Sequence, residues 1–212
     1  MERVSTLTST RRSDAARNRE RLLDAARLEL NRDPDATIET IAASAGLSRR
    51  SVYGHFASRD ELLRELLAAG VARVTGAFDD EPHPDPVTDL CLIAATLWRE
   101  VESTRVMTLF AVRGPFKDDT VRALAPVRRR ALRDVRRGQE AGGIRTDVPD
   151  VTLAHLLEEG ILTVLDEATS EHLSDEVVHG LVLRLVLGLL GSGWREAAAF
   201  IESTPELAWR TA

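Results

Sequence analysis

Apolar residues recur three and four positions apart along most of the chain while strand-like alternation is scarce, so the pattern predicts an all-α protein. The first helix covers Arg17 to Asn31, with Leu22, Leu23, Ala26 and Leu30 on one face. It stops at Pro34, which cannot continue it. Thr37 then caps a short helix whose apolar positions are Ile38, Ile41, Ala42 and Ala45. Gly46 marks the turn that ends it, and Ser48 opens a second short helix with Leu47, Val52 and Phe56 directed inward. Two short helices joined by a Gly-containing turn make a helix-turn-helix, and the first helix supplies the face it packs on, giving a three-helix unit. A longer helix starts at Ser58 with a stripe of Leu63, Leu66, Leu67, Val71, Val74 and Phe78, a candidate lever into the next layer.

The run DDEPHPDP at 79–86 has no apolar residue and reads as a loop. Beyond it, helices are predicted at Val87–Glu102, Arg105–Val112, Lys117–Ala141, Val151–Ala168 and Glu176–Leu190, with Pro126 kinking or dividing the third. The last of these is apolar nearly all round, interrupted only by His179 and Arg184, and must be covered on every face. A partner subunit is the simplest cover, and Gly180, Gly188, Gly191 and Gly193 would permit close helix approach. A final amphipathic piece follows Trp194. Residues 1–13 are polar and aperiodic and read as a disordered arm, in which Arg11 and Arg12 read as part of a solvated tail before they read as a contact to the minor groove or phosphates. The predicted organisation is therefore the arm at 1–13, a helix-turn-helix domain at 14–60 and a larger helical domain at 61–212.

The second short helix is unusual in what it leaves outside. With its apolar positions turned in, Arg49, Arg50, Ser51, Tyr53 and His55 face outward: two guanidiniums, two hydroxyls, an imidazole and no carboxylate. Arginine bonds bidentately to guanine edges or to phosphates, and hydroxyls donate to phosphate oxygens. The face suits double-stranded DNA.

Net charge, −6, argues against a polyanionic partner until it is divided by region. Residues 1–60 hold 11 Arg against 9 Asp and Glu, while the remainder holds 17 basic and 25 acidic residues. The acidity belongs to the C-terminal part, leaving the helix-turn-helix free to carry a local basic face. Cys91 is the only cysteine, which excludes an intrachain disulfide, fits a reducing cytoplasm and reads as a small buried hydrophobe. No stretch resembles a signal peptide or reaches the apolar length of a membrane span.

The run IAASAGLSRRSVYGHFASRDELL resembles the N-terminal domain of TetR-type transcriptional regulators, through Ile41-Ala42, Ala45-Gly46-Leu47-Ser48, Tyr53, His55-Phe56 and Ser58-Arg59 before Leu62-Leu63. Arg50 departs from the resemblance, standing where many members have Gly, and Arg59 stands where Lys is frequent. The resemblance implies phosphate contacts from Thr37, Ser48, Tyr53, His55 and Arg59, base-edge contacts from Arg49, Arg50 and Ser51, and close backbone approach at Gly54. It further implies a homodimer through the last two long helices, a palindromic operator, and a small-molecule effector that releases a repressor from DNA. Trp98, Met107, Phe110 and His155 are the candidates for its pocket, each read more readily as ordinary core. No cofactor or metal is expected.

Other readings carry less. His83 stands among Asp79, Asp80, Glu81 and Asp85 and tempts a metal reading, but on a Pro-rich loop it reads as solvated. The basic run Arg128–Arg130, Arg133, Arg136 and Arg137 is a second candidate nucleic-acid surface, against the simpler reading of a solvated face. An enzyme built on His155 near Glu158 and Glu159 lacks HExxH, paired ExxH and nucleophile-elbow motifs. A DNA-binding regulator without an effector, or one that activates, is the nearer alternative.

Overall fold

The protein was analysed as a computed structural model that describes residues 3–78 and 81–209, with side chains from Ala16 onward; Arg11, Arg12, Asp79 and Asp80 therefore lie outside the described side chains. Among the described residues every regular element is a helix. The chain divides into two compact units, Met1–Ala69 and Gly70–Ala212. The division falls later than residue 60 because Leu62, Leu63 and Leu66 are buried in the first unit rather than the second.

In the first unit, α1 (Arg3–Arg32) is longer than its apolar stripe. It takes in most of the stretch expected to be a disordered arm, which contains no Pro or Gly to stop a helix. Helix α2 (Ile38–Ser44) is capped by Thr37, whose Oγ1 accepts from the Thr40 amide at 3.2 Å. Gly46 supplies the turn with φ +65°, a left-handed conformation that other residues adopt only with strain. Helix α3 (Arg49–Tyr53) is capped in turn by Ser48, whose Oγ accepts from the Ser51 amide at 3.2 Å. Helix α4 (Arg59–Gly76) opens with a reciprocal cap: Glu61 donates its amide to Ser58 Oγ and accepts the Ala57 amide on Oε2. Leu22, Leu30, Ile41, Val52, Phe56 and Leu62 are fully buried and form the core of this unit, whereas Leu47 is only half-buried.

The second unit contains α5 (Pro86–Val101), α6 (Arg105–Arg113), α7 (Lys117–Ala123), α8 (Ala125–Glu140), α9 (Asp150–Ser170), α10 (Asp175–Leu190) and α11 (Trp194–Ser203). Pro126 divides the long predicted helix in two, with the break at Leu124. Helices α5 and α10 are central: α10 packs on α9 and α5, and α8 closes the layer against α5 and α9. The core joins Cys91, Ala94 and Trp98 of α5 to Val178, Leu183 and Leu187 of α10. His179, expected to interrupt the apolar surface of α10, is buried; its Nε2–H donates to the Leu207 carbonyl at 2.8 Å and its ring lies 5.2 Å from Trp209. Gly191, with φ +113°, ends α10 in the left-handed cap that favours glycine.

The basic run on α8 is a set of cross-links. Arg128 pairs with Glu158 and Arg136 with Asp150, both on α9, while Arg130 grips Asp89 of α5. Arg137 binds Asp134 at 3.0 Å and the Pro84 carbonyl at 2.7 Å. The reading of this run as a nucleic-acid surface is not supported, because four of its guanidiniums are turned to carboxylates of the same unit. Cys91 is fully buried, and burial pushes its thiol up to about 12, so it has no thiolate with which to sense oxidants at neutral pH.

Candidate nucleic-acid interface

Helix α3 buries one residue, Val52, and the Ser48 cap fixes where its first turn begins. This short helix therefore presents a surface made almost entirely of polar and cationic side chains. Arg49, Arg50 and Tyr53 are exposed, and Ser51 and His55 are half-buried. The Arg50 guanidinium has no ion-pair or hydrogen-bond partner among the described residues. Thr37 and Ser48 are exposed at the two caps, with their oxygens accepting amides and their O–H groups still able to donate. At Gly54 the exposed backbone ends α3, and a Cβ there would come within 3.2 Å of the Ser51 carbonyl. These side chains belong to one unit and fall within one short stretch of structure.

Two features depart from the pattern. The face is not free of carboxylate: Glu39, on α2, holds Arg49 Nη1 at 2.8 Å. Tyr53 lies beneath the same guanidinium, 5.5 Å from it, and its hydroxyl together with the Glu39 carboxylate raises Arg49 above the ordinary arginine value. Both partners of the ion pair are more than half exposed, so solvent screens the pair and it adds little to stability. The second departure concerns Arg59. It is not directed outward but back to the α1–α2 turn, donating to the carbonyls of Ala36 at 3.0 Å and Pro34 at 2.6 Å. The turn around Pro34 leaves carbonyls unpaired, and a guanidinium fork is suited to satisfy two of them. Arg59, from which a phosphate contact was expected, is thus turned inward and supports the site through the α1–α2 turn.

Arg19 and Arg21 of α1 were not singled out by sequence, yet they hold the reading unit together. Arg19 stacks over Phe56 at 4.3 Å, donates to the His55 carbonyl at 2.9 Å and pairs with Glu65. Arg21 donates to the Ala45 carbonyl at 2.6 Å, beside Gly46. A signal for Arg19 exists: it precedes Leu22 and Ala26 by three and seven positions and so shares their buried face.

Residues 22–66 match the model of the bacterial regulatory proteins of the tetR family. The N-terminal domain belongs to that family. Its span ends where the buried leucines of α4 close the first unit. The HTH-type transcriptional regulator TtgW of Pseudomonas putida is 42% identical over 60 residues, which cover 27% of this chain and 44% of that protein. The chain therefore matches less than half the length of this relative. Two solved structures show the same fold across both units. One is SmeT, the repressor of the Stenotrophomonas maltophilia multidrug efflux pump SmeDEF (24% identity, 80% of this chain and 88% of that one, TM-score 0.62). The other is the regulator FadR of Bacillus subtilis, solved with stearoyl-CoA (14% identity, 81% and 97%, TM-score 0.65). The family and these neighbours are regulators and not enzymes. Among the described residues, no cluster of His, Cys, Asp and Glu could hold a metal ion, and no helix is long and apolar enough to cross a membrane.

Of the expected pocket residues, three fall on α5 and α6. Trp98 is buried under Arg105 and donates from Nε1 to the Asp175 carbonyl at 3.2 Å; Met107 is buried; Phe110 is half-buried with its ring 6.0 Å from Phe116. His155 does not join them. It is exposed on α9, because Leu153 and Leu157, two positions either side, point into the core.

Proposed function

We propose that this protein is a dimeric transcriptional repressor that binds a palindromic operator and is released from it by a small-molecule effector. The observation that carries the reading is the outer face of α3, where Arg49, Arg50 and Tyr53 stand exposed on a capped helix with a single buried residue. Arg49, Arg50 and Ser51 would meet base edges, Thr37, Ser48, Tyr53 and His55 would meet phosphates, and Gly54 would let the backbone approach. The site of action would be the cytoplasm, where the DNA is.

A dimer supplies two such faces for two half-sites about 34–36 Å apart or a multiple of that spacing. Its support here is an exposed apolar surface shared by α9 and α10: Val151 and Leu156 on the first, Val177 and Leu181 on the second. Gly188 lies on the open side of α10, where a Cβ would meet nothing. Leu181→Asp is expected to convert the dimer to monomer by sedimentation while leaving the helical spectrum intact. A dimer that survives this change would place the interface elsewhere.

The effector would sit in the second unit beside Trp98, Met107 and Phe110. Glu102, between α5 and α6, has a buried Oε2 without a hydrogen-bond partner, an acceptor that a ligand donor would satisfy. Release requires only that the effector favour a conformation that operator DNA disfavours. Selection from random duplexes tests the reading: enrichment of a two-half-site palindrome, displaced by a bound small molecule, is the expected result. Salt-sensitive binding without enrichment would sink it. On the selected operator, Arg50→Ala is expected to cost about 1–3 kcal/mol while hardly changing affinity for random duplex. Equal losses on both, measured by fluorescence anisotropy, would make Arg50 a phosphate contact.

A further inference from the structure

Among the described residues, Glu39 is the one carboxylate paired with an arginine on the outer face of α3, and it reaches there from a different helix. Near a polyanion an exposed acid is unfavourable, yet here it sits 2.8 Å from Arg49 Nη1, and the Tyr53 ring lies 5.5 Å from the same guanidinium. Arg49 is therefore held by two neighbours, while Arg50 beside it has no partner among the described residues. We propose that Glu39 is a positioning residue that sets DNA discrimination, by holding Arg49 back from indiscriminate phosphate contact and presenting it to a base edge. This inference rests on the DNA-binding reading above.

The argument follows from what each partner can accept. A guanidinium has five N–H donors, so Arg49 can give two to a guanine edge while another stays on Glu39. If Arg49 instead swings to a phosphate, either it leaves Glu39 unpaired or it draws that carboxylate toward a second negative charge. Non-specific binding consists almost wholly of phosphate contacts, each releasing counterions. Pinning Arg49 withholds one such contact from every wrong sequence and little from the right one.

The test is Glu39→Gln, which keeps the shape of the side chain and removes its charge, measured on the selected operator and on random duplex across a range of salt. One released arginine steepens the non-specific dependence of log K on log salt by about 0.9, which at 0.15 M salt corresponds to binding about fivefold tighter. Operator affinity is expected to change less, so the ratio between the two falls. Glu39→Asp, which retains the charge, is expected to keep the original slope. In an Arg49→Ala background, Glu39→Gln is expected to do nothing, since the guanidinium it restrains is gone. Unchanged slope and ratio in a variant that melts like the parent would overturn the inference, as would an equal effect without Arg49. Should the unsubstituted protein show no operator preference at all, the DNA-reading proposal falls and this one with it. Intact preference with an inert Glu39→Gln sinks this inference alone.

Discussion

Arg130→Met is expected to lower the unfolding free energy by about 3–5 kcal/mol at pH 7, the cost of leaving a buried charge without its partner. Asp89 has no exposed surface, and Arg130 grips it with two bonds, Nε at 2.9 Å and Nη2 at 2.6 Å. The same carboxylate accepts the His83 amide at 2.8 Å, so one side chain ties α5 to α8 and to the loop before it. Methionine keeps the apolar stem of the arginine and removes the guanidinium, whose Cζ lies 5.9 Å from the Phe78 ring, so the loss reports the charged head more than the packing of the stem. Chemical unfolding at pH 7 and at about pH 2.5 separates the two. Arginine and its hydrogen bonds hold Asp89 below the usual carboxylate range, so its stabilisation is present above the unfolded value of 3.8 and fades as pH falls below that. The penalty of Arg130→Met should therefore shrink in acid, and a penalty that is the same at both pH values would show that packing dominates.

Asp134 has the opposite sign. It too is fully buried, and burial first, then the adjacent Asp89 carboxylate, push it from 3.8 up to about 6, while its Oδ2 finds no hydrogen-bond partner. Between those two values the folded chain holds a proton that the unfolded chain has lost, so stability from this group falls as pH rises from about 4 to about 6 and is flat above. The fall is on the order of 2–3 kcal/mol. Asp134→Asn supplies a permanently neutral side chain of the same shape. At pH 8 it is expected to raise stability by a similar amount, while at pH 4.5, where the parent is protonated, it should change little. Unfolding curves at the two pH values decide this. A variant destabilised at pH 8 would mean that Asp134 works there as the charged partner of Arg137.

The architecture was legible wherever one rule acted within one segment. Apolar spacing located the helices, Thr37 and Ser48 announced their caps, and Pro126 announced the break between α7 and α8. What sequence could not show are contacts that cross between helices. Glu39 looks like an ordinary first-turn acid until α2 and α3 are placed side by side. Arg59, cationic and next to the helix-turn-helix, fits a phosphate contact equally well until the open carbonyls of the Pro34 turn are seen to claim it. The arginines of α8 form a basic stripe in one dimension and a set of ion pairs in three. His155 was misplaced for a simpler reason: its neighbours at 153 and 157 already fixed which way it faces.

Five residues make up α3, and an isolated helix of that length would not form in water. Its order is lent to it by Ser48 before it, Phe56 after it and Arg19 across from it. Because the scaffold bears the cost of folding, the reading positions are free to vary: of 49–53, only Val52 is committed to the interior. On the proposed reading, a lineage carrying this gene could rewrite its target sequence one side chain at a time, with little change in how well the protein folds. The same freedom would not extend to Arg19, which stacks on Phe56 and holds the His55 carbonyl, so that its loss would loosen the whole outer face of α3 at once.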